Sequence, residues 1–382
     1  MEPVTLEAEG LRLGRWRPSH IPALAEIYED REIERFFVMP LPWPREARER
    51  HLDLMRRHWS VGNPQWAVTD DTGRLVGSVG LRGSGPRMYT ITYLTAPWAR
   101  GRGVAQRAVR AASHFAFRKL DAARISWDAI CGNHYSRLTA VRTGFTIEGL
   151  SRSAVYQRGT MRDVWIGGIL PGEVREADDP PPEYRRLKAQ AVYFSHEQAP
   201  VETDLPGLRL RPLRSGDLAD IAAACRDEAV QRNTTVPANY TRASAEAYLK
   251  TVRRSWERGT HVHFALEWEG RYSGTVSLKL RDAAEAEIGY LTAPWARGRG
   301  AMTEAVGRMA DLAFRELDLE VLRWCAVEGN KPSVRVAEKN GFTIEGVRHE
   351  RYRNGGERIA QHFGYLKRRL GALGARVGSD AR

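Results

Sequence analysis

The stretch YLTAPWARGRG occurs at residues 93–103 and again, letter for letter, at residues 290–300. An identical run of eleven residues does not recur by chance in a chain of 382 residues, so the chain contains an internal duplication. The same offset of 197 residues relates LRL at 11–13 to 208–210 and GFTIEG at 144–149 to 341–346. We conclude that a whole domain was duplicated, which excludes an array of short repeats.

Each copy of the repeated stretch predicts a short β-strand, a stop at a proline and an Arg/Gly loop that opens a helix. Backbone N–H groups at such a helix start bind anions, and glycine lets phosphate oxygens approach the main chain. No Lys-Ser/Thr pair follows the loop, which excludes a P-loop, and the third glycine of the dinucleotide fingerprint is missing. We therefore expect a phosphate-bearing ligand at the loop in both copies.

The length of the chain suits two domains of about 150 to 190 residues, each large enough for its own core. We expect domains at residues 1–170 and 201–370, a Pro- and acid-rich linker at 171–200, and a disordered tail at 371–382. The N-terminal segment has no basic, apolar signal, and no run reaches the ~18 apolar residues of a membrane span. These features favour a cytoplasmic protein without membrane partners.

The chain is basic, with 59 Lys and Arg against 47 Asp and Glu. This balance suits an anionic, phosphate-bearing ligand and is compatible with nucleic acid. The arginines are scattered among acidic residues without a dense run, however, which disfavours a nucleic-acid-binding module. The three cysteines, Cys131, Cys225 and Cys325, have no metal-ligand spacing, so we expect buried or incidental thiols and no metal site.

Hydrophobic alternation and turn signals predict the order β, α, α, β, β, β, loop, α, β, α, β, β in each copy. This is a mixed α+β fold in which a meander leads into one helical crossover, and the strands on either side of the crossover should be parallel. Helices are expected at 104–119 and 301–316. Trp43 and Tyr240 align in the connection before the second expected helix of each copy. A packing role is favoured there over a role in lining a substrate pocket.

A second motif follows the fifth main strand of each copy. It consists of an asparagine with a serine three residues later, Asn133 with Ser136 and Asn330 with Ser333. The spacing puts both side chains at a helix start, where their ordinary role is capping. From the spacing alone, capping and a chemical role are equally favoured.

The two motifs together resemble those of the GCN5-related N-acetyltransferase (GNAT) superfamily. The first copy matches the family's Q/R-x-x-G-x-G/A pattern with Arg100, Gly103 and Ala105, whereas the second has Met302 in the last place. N-x-x-S followed by GF and EG is similar to the RimJ/RimL branch. The resemblance covers both domains nearly end to end.

The resemblance implies two tandem GNAT domains, each a mixed, mostly antiparallel twisted sheet flanked by helices, in which two strands splay apart around the cofactor. It implies transfer of an acetyl group from acetyl-CoA to a primary amine, on a small molecule or a protein N-terminus. Thr95 or Thr292 would mark strand N–H groups that stabilise the oxyanion. The expected cofactor-binding residues are Thr95, Arg100, Gly101, Arg102, Gly103, Val104, Ala105, Asn133, Thr292, Arg297, Gly298, Arg299, Gly300, Ala301, Met302 and Asn330.

The resemblance also implies that Ser136 and Ser333 protonate the departing thiolate. The two copies differ in the residue that could act as the general base. The branch has an acidic residue three positions before the tyrosine of the repeated stretch, and the second copy supplies Glu287 there and Glu304 after the loop. The first copy has neither carboxylate. We expect the C-terminal domain to be the better-preserved catalyst.

Two alternatives stay open at the level of sequence. The N-terminal domain could bind cofactor, work slowly, or serve as half of an intramolecular dimer-like interface. The whole chain could be a cofactor-binding tandem pseudoenzyme or scaffold. The acceptor amine is not identified, because the acceptor pockets of similar folds come from variable loops.

Overall fold

A computed structural model describes residues 1–37, 43–351 and 358–368 of the chain. The chain divides into two compact units, Met1–Tyr184 and Arg185–Arg382. The tail expected at 371–382 lies outside the described residues. Within the described part, no helix is both long and apolar enough to cross a membrane.

In its described residues, the first unit contains eight strands and five helices. The strands are β1 (Leu6–Ala8), β2 (Leu11–Gly14), β3 (Gln65–Asp70), β4 (Leu75–Gly85), β5 (Met88–Thr95), β6 (Arg124–Ile130), β7 (Thr146–Gln157) and β8 (Thr160–Ile169). The helices are α1 (Ile21–Tyr28), α2 (Arg31–Phe36), α3 (Arg45–Ser60), α4 (Val104–Lys119) and α5 (His134–Thr143).

The strands of the first unit form one sheet in the order β1-β2-β3-β4-β5-β6-β8-β7. Neighbours are antiparallel except β5 and β6, which are parallel because α4 carries the chain across the sheet between them. Antiparallel neighbours need only short turns, whereas a parallel pair needs such a crossover. The mixed α+β fold expected from the sequence is confirmed.

The second unit repeats this architecture. Its strands are β9 (Val201–Glu202), β10 (Leu208–Arg211), β11 (His261–Trp268), β12 (Arg271–Leu280), β13 (Glu285–Thr292), β14 (Val321–Val327), β15 (Thr343–Arg351) and β16 (Arg358–Lys367). Its helices are α6 (Tyr184–Ser195), α7 (Leu218–Cys225), α8 (Glu228–Asn233), α9 (Arg242–Glu257), α10 (Ala301–Arg315) and α11 (Lys331–Lys339). The sheet order, β9-β10-β11-β12-β13-β14-β16-β15, matches that of the first unit, and β13 and β14 are its parallel pair.

Helices cover both faces of the second sheet. Along β11, Val262 and Phe264 are buried in the same core as helix α10, whereas Ala265 is buried in a separate core with α7 and α9. This division follows from strand geometry, since successive side chains point to opposite faces. It defines an α10 face and an α7/α9 face, between which the residues of β13 alternate.

The stretch expected as a linker, 171–200, differs from the structure. It contains α6, whose Phe194 is 2% exposed and packs on Trp256 with ring centroids 5.0 Å apart. Gln190 of the same helix donates to the carbonyl of Ala283 at 2.8 Å. The run of acidic residues and prolines before α6 dominates the composition of this stretch and hides the helical spacing of its apolar residues.

Two short edge strands and two aligned aromatic residues can also be compared with the expectations. The short strands β1 and β9 were not expected, since two or three residues give no readable alternation; each pairs with its neighbour at the edge of the sheet. Trp43 and Tyr240 are 4% and 6% exposed, so the packing role expected for both is confirmed. Trp43 packs edge-on against Tyr28.

Candidate active site

A gap opens in each sheet between the two parallel strands. In the first unit, parallel pairing of β5 and β6 runs only from Met88 with Arg124 to Thr90 with Ser126, while β5 continues to Thr95. The second unit has the same arrangement between β13 and β14. The strands thus diverge after three paired residues, in agreement with the expected splay.

Backbone N–H groups of the longer strand point into this gap. The N–H of Ala96 donates to Val76 of β4 at 2.9 Å, and that of Ala293 donates to Ser273 of β12 at 3.0 Å. Because N–H groups alternate from side to side along a strand, the N–H group one residue earlier points the opposite way, toward the gap. These are the N–H groups of Thr95 and Thr292, which the sequence singled out as oxyanion donors.

The Arg/Gly loop ends at the first turn of the crossover helix. Gly103 and Gly300 directly precede α4 and α10 with φ of 70° and 83°, in the left-handed region that favours glycine. Neither helix start has a side-chain cap. The first N–H groups of both helices therefore face outward as anion donors, which fits the phosphates of a coenzyme A ligand.

The side chains at the two helix starts leave these N–H groups accessible. Val104 and Ala301, the first helical residues, are 4% and 1% exposed and belong to the cores. Met302 is 5% exposed and also lies in the core, so its bulk does not block the loop. At Gly101, Gly298 and Gly300, no atom of the described residues lies within 4 Å of where a side chain would begin, apart from each glycine's own chain neighbours.

The four arginines of the two loops differ in whether they form an ion pair. Arg100 forms an ion pair with Asp30, and Arg297 forms the equivalent pair with Asp227 at 2.5 Å. Each of these aspartates also caps the start of a short helix, α2 or α8. The hydrogen bond from Arg297 lowers the pKa of Asp227, so this pair stays charged at neutral pH.

The second arginine of each loop is exposed. Arg102 and Arg299 make no ion pair with any residue that the structure describes, and the guanidinium of Arg299 lies 5.5 Å from the ring of Trp268. These two cations are the ones available for a phosphate group.

A hydroxyl cluster lies at the gap on the side of the crossover helix. In the first unit, the Tyr93 hydroxyl donates to the carbonyl of Ser136 at 3.0 Å and lies 3.0 Å from the Ser136 hydroxyl. The indole N–H of Trp127 donates to the Tyr93 hydroxyl at 3.0 Å. Either hydroxyl can supply the proton of the contact between Tyr93 and Ser136, so the two hydroxyls and the indole form one hydrogen-bonded cluster beside the gap.

The second unit repeats this cluster. The Tyr290 hydroxyl donates to the Ser333 carbonyl at 3.1 Å and lies 2.9 Å from the Ser333 hydroxyl, and Trp324 donates to Tyr290 at 2.9 Å. Burial raises the pKa of Tyr93 to about 12 and raises that of Tyr290 as well. Both tyrosines are therefore protonated at neutral pH.

The motif asparagines cap helices α5 and α11. The side-chain oxygen of Asn133 accepts from the N–H of Ser136 at 3.2 Å, and that of Asn330 accepts from the N–H of Ser333 at 3.3 Å. Capping and orientation of the serine are thus one arrangement, since the capped residue is the serine of the hydroxyl cluster. A contact of these asparagines with a cofactor stays a prediction.

The two acidic residues expected in the second unit are engaged by arginines. Glu287 forms an ion pair with Arg281, which raises the pKa of that arginine. Glu304 accepts from Arg308 at 2.9 Å and from the N–H of Asp204 at 2.9 Å, so it ties α10 to the N-terminal hairpin of the unit. The role of Glu287 as a base stays a prediction.

Four residues of the hydroxyl clusters were not predicted from the sequence: Tyr93, Tyr290, Trp127 and Trp324. Both tyrosines open the repeated stretch, and both tryptophans lie at equivalent positions of the two copies. That coincidence was the available signal. It did not show that a strand tyrosine would reach a helix serine 43 residues away.

The chain matches a known family over both units. The family described as the acetyltransferase (GNAT) domain matches residues 11–146 and 207–343. The two matched ranges include both loops and both N-x-x-S motifs.

Two relatives from Bacillus subtilis (strain 168) match single regions of the chain. YdaF, provisionally named a ribosomal N-acetyltransferase, is 34% identical over 133 residues, which are 33% of this chain and 73% of YdaF. YjcK, provisionally named an N-acetyltransferase, is 35% identical over 113 residues, which are 28% of this chain and 62% of YjcK.

Among solved structures, one neighbour is RimL, described as the ribosomal L7/L12 alpha-N-protein acetyltransferase in complex with coenzyme A. It is 16% identical, with a TM-score of 0.40, and the match covers 44% of this chain and 98% of that chain. At this identity the likeness concerns the fold alone.

Proposed function

Because the chain belongs to the acetyltransferase (GNAT) domain family, with two such domains, we propose that it transfers an acetyl group from acetyl-CoA to a primary amine. The observation that carries the proposal is the hydroxyl cluster, which lies beside the strand gap in both units. An uncapped helix start follows the same strand in each unit. A proton donor and an anion-binding helix start beside one gap suit a thioester with a phosphate-bearing carrier.

Each part of the site has one task. Acetyl-CoA, when bound, supplies the acetyl thioester and the phosphates. The first turns of α4 and α10, with Arg102 and Arg299, hold the phosphates. The N–H groups of Thr95 and Thr292 point to where negative charge develops on the acetyl oxygen.

The serines supply the proton that the departing sulfur needs. Ser136 and Ser333 are each held by a capped helix start and by a tyrosine hydroxyl, so their orientation toward the gap is fixed before any ligand binds. A general acid of this kind contributes about 10²- to 10⁴-fold to a rate. Their placement therefore supports direct transfer to the amine without an acetylated enzyme group.

For the acceptor, the name of YdaF supports an amine of the ribosome, of which a protein N-terminus is one, and a small-molecule amine is the other acceptor of the same chemical class. The competing proposal is a cofactor-binding scaffold. The ion pair of Glu287 with Arg281 favours it, since a carboxylate held by an arginine is a weak base.

The test is a turnover assay on the full chain. We would supply acetyl-CoA with peptides that have a free N-terminus and with the polyamine spermidine, record thiol release, and locate the acetyl group by mass spectrometry. We expect thiol release that depends on the amine. Binding of acetyl-CoA without release for any amine would support the scaffold, and absence of both would contradict the proposal.

A further inference from the structure

The first unit carries a carboxylate beside its gap that no motif marks, Asp128 on β6. Pairing of β5 with β6 ends at Ser126, so Asp128 lies two residues into the stretch where the strands diverge. The equivalent residue of the second unit is Cys325, and the second unit's Glu287 corresponds to Thr90 of the first. The two units thus each place a carboxylate at the gap, but on different strands.

Asp128 points away from the hydroxyl cluster. The indole of its neighbour Trp127 donates to Tyr93 and lies 3.3 Å from the Ser136 hydroxyl, so Trp127 faces the cluster. Successive side chains of a strand point to opposite faces, which places Asp128 on the other side of the sheet. An acid on one face of the gap and a carboxylate on the other is the arrangement that transfer through the gap requires.

The surroundings of Asp128 leave its carboxylate available. The residue is exposed, and within the described chain no group hydrogen-bonds or ion-pairs with it. Partial burial raises the pKa of Asp128, and the charge of Arg82 on β4 opposes this. His58 of α3 lies near Arg82, and burial lowers the pKa of His58, so it is neutral at pH 7. Arg124, four residues earlier on β6, is held by Glu148 at 2.8 Å.

We propose that Asp128 is the general base of the first unit and takes protons from the primary amine acceptor, an assignment that rests on the proposed acetyl transfer. Glu287 sits on the same face of its own sheet but is held by Arg281. The first unit is therefore a catalytic site in its own right, despite lacking both carboxylates of the family pattern.

With Asp128 as the base and Ser136 as the acid, the protons and electrons of the proposed transfer balance. Asp128 takes one proton from the ammonium form of the acceptor and passes it to solvent. The lone pair of the resulting amine forms the C–N bond to the acetyl carbon, and the C–S bond breaks with its electron pair on sulfur. The nitrogen loses its second proton through Asp128, while Ser136 gives a proton to sulfur and regains one from water. One amide, one thiol and one released proton result.

The test isolates the first unit in the full chain. Gly300→Glu places a carboxylate in the phosphate-binding loop of the second unit, so that remaining turnover of acetyl-CoA with a free N-terminal peptide comes from the first. Adding Asp128→Asn should lower kcat at least a hundredfold and leave acetyl-CoA affinity unchanged, and Asp128→Glu should restore part of the rate. Asp53→Asn, at an exposed ion pair of α3, is the control and should leave the rate unchanged.

The pH profile gives a readout that a structural role would not move. A base must be deprotonated, so kcat/KM should rise with pH through the raised pKa of Asp128, and that limb should be absent in Asp128→Asn. Independently of turnover, carbon-13 NMR of aspartate-labelled protein should show a carboxyl resonance, absent in Asp128→Asn, that titrates above the usual pKa of about 3.9.

The possible outcomes distinguish a failure of the proposed acetyl transfer from a failure of the assignment of Asp128. Wild-type protein that releases no thiol with any amine contradicts the proposed function and this assignment with it. Full turnover in Asp128→Asn overturns the assignment alone. Loss of all turnover in Gly300→Glu by itself places the chemistry in the second unit and also overturns it.

Discussion

Ser136 and Ser333 are each held from two directions at once. The asparagine three residues earlier accepts from the serine N–H, and a strand tyrosine lies within 3.0 Å of the serine hydroxyl. The cap and the tyrosine contact together orient the serine hydroxyl beside the gap, and the proposed donation of a proton to sulfur rests on this orientation.

We predict that the double variant Ser136→Ala/Ser333→Ala loses about a hundredfold in kcat while its affinity for acetyl-CoA is unchanged. The reason is that the serine hydroxyls protonate the departing sulfur, whereas the phosphates bind elsewhere. Steady-state kinetics with calorimetric binding would measure both. Ser60→Ala is the control, since that serine lies at the end of α3 and its hydroxyl donates to the carbonyl of Arg57. An equal loss in the control, or none in the double variant, would refute the role.

At the residue level, the sequence identified the loop glycines and the serines but left two questions open. It could not show that Arg100 and Arg297 are paired with Asp30 and Asp227, because the partners are 70 residues apart. It also could not find Asp128, since the family pattern directs attention to the other strand of the gap. Both depend on the topology that brings distant strands together.

At the level of elements, helix α6 shows where composition misleads. Its buried face carries Ala191 and Phe194, and Phe194 joins the core of the second unit. Longer elements were readable from the sequence because they have a full apolar period: the helix expected at 104–119 has those bounds, and the helix expected at 301–316 ends one residue earlier.

We predict that Phe194→Ala destabilises the second unit by about 3 to 5 kcal/mol, the usual cost of removing a buried phenyl ring. Hydrogen exchange measured by mass spectrometry on the full chain should accelerate in residues 185–368 and not in the first unit. Val192→Ala, at an exposed position of the same helix, should change stability by less than about 0.5 kcal/mol. Equal acceleration in both units would show that α6 is not part of the second core.

For the whole molecule, the duplication has preserved the phosphate-binding loop and the hydroxyl cluster while the acidic residues at the gap diverged. The loop is identical in sequence and closely similar in backbone, with φ of 75° at both Gly101 and Gly298. The gap carries Asp128 in one unit and Glu287 in the other. We therefore expect both units to bind acetyl-CoA.

That claim calls for variants that disable one loop at a time, with a control for backbone strain. Gly103→Glu and Gly300→Glu each place a carboxylate where phosphate is expected. Gly62→Glu is the control, because Gly62 also has positive φ and open space around it. It lies at the other end of the sheet, since its neighbour Asn63 accepts from Gly83, which pairs with Tyr89 near the start of β5.

Calorimetric titration of acetyl-CoA into the full chain tests the claim most directly. We predict two sites in the wild type and in Gly62→Glu, and one site in each of Gly103→Glu and Gly300→Glu. A single site in the wild type, lost in only one of the two loop variants, would contradict the account by reducing the other unit to a structural role.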